Sequence, residues 1–143
     1  MPYIRPLVIC LFRHNRKILV SEECDPAKDE IFYRPLGGGI EFGEHSTEAL
    51  RRELKEEIGA EVKDLVYLGT LENIFTFNGE PGHEIVQVYD GELVESGLYE
   101  QAVISGYEAE LDLPMKVMWK GLDEFGPGGL ILYPAGLFEF LAK

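Results

Sequence analysis

Apolar residues run unbroken from Leu7 to Phe12 (LVICLF) and then give way to Arg13-His14-Asn15-Arg16. A run of that length predicts a strand buried on both faces, and the polar quartet predicts a turn. Lys17 to Val20 then reads as the returning strand. Ser21 to Glu30 is charged and contains a proline, which predicts an exposed loop. Ile31 to Arg34 predicts a short aromatic strand feeding a glycine turn at Gly37-Gly38-Gly39. The period then changes. Leu50, Leu54 and Ile58 recur every four residues and define one apolar stripe of a helix, with Ser46 or Thr47 as its expected cap. Val62, Leu65, Val66 and Leu68 predict extended chain over 61–72, continuing through Phe77 to a reversal at Asn78-Gly79. Ile85, Val86, Val88 and Tyr89 place the returning strand in 83–94. No pattern assigns 95–106. Met115 to Trp119 predicts a strand, Leu122 to Phe125 one helical turn, and 126–129 a loop. From Pro134 to Lys143 a helix is expected, with Pro134 at its first position and Tyr133, Leu137, Phe140 and Leu141 on one face. Several antiparallel-looking strands and two separated helices predict an α+β fold, a mixed sheet covered by helices. Neither a repeat nor a linker divides the chain, so residues 1–143 are expected to form a single domain.

Composition narrows the partners. The 143 residues carry 13 Lys and Arg against 26 Asp and Glu, a formal charge of −13. Such a surface repels nucleic-acid backbones and anionic membranes, so neither is an expected partner. A small polyanion stays admissible, because a bound metal reverses the local sign. Cys10 and Cys24 match no zinc spacing and imply no disulfide framework. The N-terminus lacks the basic head and long apolar core of a signal peptide, and a soluble cytoplasmic protein is expected.

The predicted helix also poses an electrostatic problem. Glu53, Glu56 and Glu57 fall at i, i+3 and i+4 on one face, where like charges repel unless a cation compensates them. Carboxylates are hard ligands suited to Mg²⁺ or Mn²⁺. Counting from Gly38, Glu44 follows six later, Arg52 and Glu53 at fourteen and fifteen, Glu56 and Glu57 at eighteen and nineteen, and Gly59 at twenty-one. This register resembles the Nudix box, here Gly38 to Ala60, about a sixth of the chain. Two positions depart from it. Ala60 closes the box where a larger aliphatic residue is usual, and Leu36 stands where many members place proline. Both bear on packing and turn rigidity, and neither is a ligand position.

The resemblance implies an α/β/α sandwich and hydrolysis of a nucleoside diphosphate linked to another group. It implies that Glu53, Glu56 and Glu57 hold Mg²⁺, with Mn²⁺ a substitute, helped by a backbone carbonyl near Gly37 or Gly38. Glu53 is the first choice for orienting or deprotonating the attacking water. Arg52 is expected to pair with the box carboxylates, Glu44 among them, and to hold them in place. Glu100, Glu108 and Glu110 lie where relatives often supply a further ligand or the base, though each taken singly reads first as a surface acid. Arg34 suits a substrate phosphate and Phe77 a base, while Phe32, Phe75 and Tyr133 read as structural aromatics. The substrate that the resemblance implies is a small nucleotide, such as a nucleoside triphosphate or a nucleotide sugar like ADP-ribose. The proline and tyrosine markers of several subfamilies are missing from Phe75-Thr76-Phe77-Asn78. A non-catalytic nucleotide sensor is the rival reading, but degenerate members lose box glutamates and this chain keeps them all. Many relatives pair as homodimers, although nothing in the residues reads on assembly.

Overall fold

The computed structural model describes residues 2–108 and 111–141. Seven strands form one sheet: β1 Arg5–His14, β2 Lys17–Asp25, β3 Glu30–Gly39, β4 Val62–Phe77, β5 Glu80–Leu93, β6 Val103–Glu108 and β7 Leu113–Gly121. Helix α1 (Ser46–Ile58) covers one face, and a short helix α2 (Leu137–Leu141) lies at the other end of the chain. The strand order is β4-β5-β1-β3-β2-β7-β6. β1 and β5 run parallel, from Arg5↔Glu84 to Phe12↔Gly91, and the other pairs are antiparallel. The α+β class expected from the pattern is the one observed.

β1 sits in the middle because its apolar run can be buried twice. Val8, Cys10 and Phe12 enter a cluster with Leu50 and Leu54 of α1. Leu7, Ile9 and Leu11 enter a second cluster with Val86, Val88, Phe125 and Leu137. The two reversals read from polar pairs are tight turns with positive φ at both central residues, Asn15 and Arg16 in one, Asn78 and Gly79 in the other. That is the backbone a two-residue hairpin needs.

β3 decides where the site lies. Its first half pairs with β2, from Val20↔Pro35 to Asp25↔Glu30, and its second half pairs with β1, from Leu7↔Gly39 to Cys10↔Leu36. The edge left open at Tyr33 is taken by the C-terminal segment. Tyr33 N–H donates to the Ile131 carbonyl (2.8 Å), and Tyr133 N–H donates to the Tyr33 carbonyl (2.8 Å). The β4–β5 hairpin tip meets the β2–β3 hairpin through Asp25, whose Oδ1 accepts from the N–H of Asn78 at 3.0 Å.

Several expectations are corrected. The three glycines do not form a turn; they are strand residues. A Cβ on Gly37 would run into the Val8 carbonyl, and one on Gly38 would lie 2.6 Å from each carboxylate oxygen of Glu53. Their spacing therefore serves close approach rather than reversal. The loop expected over Ser21–Glu30 is strand as far as Asp25, because Ser21, Glu23 and Asp25 share one face at strand spacing. Among the described residues the expected helix from Pro134 to Lys143 is confined to Leu137–Leu141, since 131–133 are committed to Tyr33; residues 142–143 lie outside the described residues. The helix cap is His45, not Ser46 or Thr47. Its N–H donates to Glu48 (2.9 Å), while the Ser46 hydroxyl pairs with the Tyr89 hydroxyl (2.6 Å). The unassigned stretch 95–106 holds a 3-10 turn at Ser96–Glu100 and the start of β6. Leu36 and Ala60, the two departures from the box, are both buried in the α1-side cluster.

Candidate active site

Helix α1 packs its Leu50–Leu54 stripe on the sheet, and this turns Glu53 and Glu57 toward the glycine half of β3. They are only 7% and 5% exposed. The cavity they line holds about 350 Å³ and runs between the two hairpins. At its inner end stand Glu53, Glu57, the backbone of Gly37 to Gly39 and Glu108 from β6, while Glu23 of β2, paired across the strands with Phe32, lies farther out beside Ser21 and Arg34. At its outer end stand Phe32, Phe75, Phe77 and Tyr133, with Arg34 between the two ends.

Arg52 ties the inner end together. Its Nε and Nη2 donate to the two oxygens of Glu44 at 2.8 and 2.9 Å, a bidentate fork. Its Nη1 donates to Glu53 (3.0 Å) and to Glu56 (3.4 Å), and Nη2 also donates to the Gly39 carbonyl (2.9 Å). One guanidinium thus joins α1, the loop before it and the end of β3. The Arg52 hydrogen bond, aided by the Glu41 N–H, holds the Glu44 carboxyl down at about 2. Glu44 in turn raises Arg52 still further above its ordinary value.

The two buried glutamates behave differently. Burial pushes the Glu53 carboxyl up, and Arg52 pulls against it. Glu57 has no such cation. Burial first, then the charges of Glu53 and Glu108, push it up to about 9, while Arg34 and the Gly37 N–H offset only part of this. Its Oε1 is buried with no hydrogen-bond partner. A buried carboxylate oxygen without a donor is costly unless a cation reaches it. Among the described residues no three His, Cys, Asp or Glu side chains are gathered closely enough to hold an ion as they stand. Arg52 engages Glu53 and Glu56, and like charges keep the remainder apart. The donor set still fits a hard divalent ion: all ligands are oxygens, one of them is orphaned, and the Gly38 backbone lies against Glu53 with no side chain between.

The residues singled out from sequence fall into three groups. Glu53, Glu57, Gly38, Arg34 and Phe77 meet at the cavity, and Arg52 and Glu44 brace it from behind. Glu56 lies on the outer flank of α1 against Arg52, outside the cavity lining. Glu108 reaches the cavity, whereas Glu100 borders a separate small hollow beside His14 and Trp119. Glu110 lies outside the described residues.

Sequence reasoning missed Ser21, Glu23, Asp25, Asn73 and Glu84. Glu23 is pushed up by burial, and its Oε1 accepts from the Ser21 hydroxyl at 3.2 Å. Glu84 is buried, accepts from Asn73 (3.2 Å) and faces Arg34 at 4.0 Å. The signal for the first three was their alternation, visible only once β2 is allowed to extend past Val20.

A family model described as the NUDIX domain matches residues 3–113. The chain belongs to that family. Relatives of this NUDIX chain include the NAD-capped RNA hydrolase NudC of Mycobacterium tuberculosis (strain ATCC 25618 / H37Rv), 32% identical over 68% of this chain and 33% of that protein. NudC of Mycobacterium bovis (strain BCG / Pasteur 1173P2) is 33% identical over the same shares. The chain therefore spans about a third of the length of these curated relatives. Among solved structures, a MutT NUDIX hydrolase from Burkholderia pseudomallei aligns with a TM-score of 0.68 at 19% identity, covering 97% of each chain. An ADP compounds hydrolase aligns at 0.58 and 19% identity, covering 99% of this chain and 64% of the other. At such identities these two alignments speak to the fold. No helix among the described residues is long and apolar enough to cross a membrane.

Proposed function

We propose that this NUDIX domain is a divalent-metal-dependent hydrolase that splits the diphosphate of a nucleoside diphosphate linked to a second group. Nucleoside triphosphates, ADP-ribose-like nucleotide sugars and dinucleotides are the substrates considered. The observation that carries this reading is Glu57: a buried carboxylate with an orphaned oxygen, beside Glu53 and Gly38, at the closed end of a nucleotide-sized cavity. Glu53 and Glu57 with the Gly38 carbonyl would hold Mg²⁺, or Mn²⁺ in its place, and Glu56 would join them on turning from Arg52 toward the cavity. Such an ion, when bound, neutralises the diphosphate oxygens and makes a water a better nucleophile.

The chain's own groups supply the rest. Glu53, held on one oxygen by Arg52, orients the attacking water and takes its proton. Arg52 and Glu44 are positioning residues that fix Glu53 against β3. Arg34 reaches substrate phosphate from the middle of the cavity. Phe77 offers a ring face to the group beyond it. Glu108, whose charge reaches both Glu53 and Glu57, extends the acidic wall and is the rival for the base. The test is a Mg²⁺-dependent screen over nucleoside triphosphates, ADP-ribose, NAD⁺, NADH and an NAD-capped RNA oligonucleotide, with products identified by mass. Full activity in both Glu53→Gln and Glu57→Gln, on any substrate the parent cleaves, would overturn the assignment.

A further inference from the structure

We infer that the outer end of this cavity takes a positively charged heteroaromatic ring, an N-alkylated pyridinium or purinium, in preference to its neutral counterpart. The inference rests on the site proposed above, and names the group that the phosphates carry.

β3 lays out the cavity as a ruler. Glu30, Phe32 and Arg34 line it in that order, and the unbroken run Pro35 to Gly39 continues the lining inward. At about 3.3 Å per residue, Phe32 lies roughly 7 Å from Arg34 and roughly 20 Å from Gly38. Phosphates held between Arg34 and the Gly38 end leave the next group outward beside Phe32. Three rings stand there nearly at right angles. Phe32 meets Tyr133 at 5.0 Å and 80°, and Phe77 at 6.2 Å and 81°. Perpendicular rings make a box corner rather than a single stacking shelf, and the face of a ring attracts cations.

The charge around the box has the same sense. Tyr133 donates its hydroxyl to Glu30 at 3.4 Å. Its phenol is pushed up by burial first, then by the charges of Glu30 and Asp25. Asp25 is matched by Lys28 (3.8 Å) and Glu84 by Arg34 (4.0 Å), but no cation within salt-bridge reach of Glu30 appears among the described residues. A neutral base gains only stacking in such a box. A cationic ring gains the aromatic wall of the box and an adjacent carboxylate, while its phosphates stay one step inward at Arg34.

NAD⁺ and NADH make the comparison, since they differ in the charge of one ring. With Mg²⁺ present, kcat/KM for NAD⁺ should exceed that for NADH at least tenfold. Phe77→Leu and Glu30→Gln, both on the cavity rim, should each shrink this ratio, and the double variant should bring it within about threefold of one. A readout independent of turnover is binding in EDTA of 1-methylnicotinamide against nicotinamide, followed by NMR shifts of the box residues. The cationic ligand should bind at least fivefold tighter. Equal binding of the pair, or an NAD⁺ to NADH ratio near or below one in the parent, overturns the inference. Absence of hydrolysis of every nucleotide would instead sink the enzymatic reading, leaving the binding pair to decide this one.

Discussion

Glu57→Gln gives the most direct measurement of what burying this carboxyl costs. In the metal-free fold the Glu57 carboxyl is held up to about 9, whereas in the unfolded chain it titrates near the ordinary 4.5. Below the unfolded value the group is neutral in both states and costs nothing. As pH rises from there toward 9 the unfolded chain ionises and the fold does not, so stability falls. One unit of separation is worth about 1.4 kcal/mol, so between pH 6 and pH 8 this group removes at most about 2.7 kcal/mol. For a chain of this size that is about 8 °C in Tm. Water entering the open cavity relaxes part of the penalty, and about half, roughly 4 °C, is the least the reasoning allows. Differential scanning calorimetry in EDTA, stepped from pH 6 to pH 8, should show Glu57→Gln gaining on the parent by that amount. Adding Mg²⁺ at pH 8 should raise the parent's Tm and leave the variant's nearly unchanged. Parallel pH dependences of the two proteins would refute the picture of Glu57 as an uncompensated buried acid.

Other perturbations separate the parts of the site. Gly38→Ala places a methyl group against the Glu53 carboxylate, and should cut kcat more than a hundredfold while costing about 1–3 kcal/mol in denaturant unfolding. Arg52→Lys keeps the charge but loses the fork to Glu44. Its kcat should fall at least tenfold with KM nearly constant, and an unchanged kcat would remove Arg52 as a positioning residue. Asp25 accepts backbone N–H bonds from Ala27 and Asn78 and is only 2% exposed. Asp25→Ala should destabilise by about 1–3 kcal/mol and raise KM more than it lowers kcat, since it loosens the hairpin tips and spares Glu53.

How far the sequence could be read depended on the range of the cause. The Leu7–Phe12 run and the Leu50–Leu54 stripe state their own burial, and both were legible. The fixed offsets of Glu44, Arg52 and Glu53 were legible too, because helix geometry converts spacing into proximity over one or two turns. The glycines are readable as unusual but not as strand, since what Gly37 avoids is the Val8 carbonyl of β1 and what Gly38 avoids is a carboxylate arriving from α1. Glu23 and Glu84 could not be placed. Their role depends on β3 changing partners halfway and on the β4–β5 tip meeting Asp25, contacts separated by tens of residues. Tyr133 was assigned to a helix face, and its true position follows from two backbone bonds to Tyr33 that leave no local pattern.

The partner change along β3 also divides labour within a single strand. Residues 36–39 rest on β1 and α1, the most buried framework in the molecule, while residues 30–35 belong to a hairpin whose tip is polar and open. Sequence can therefore drift at Glu30, Phe32, Asp25 and Phe77 without disturbing the geometry around Glu53. Transplanting the two hairpin tips from another member onto this frame should move substrate preference and leave the metal requirement where it was.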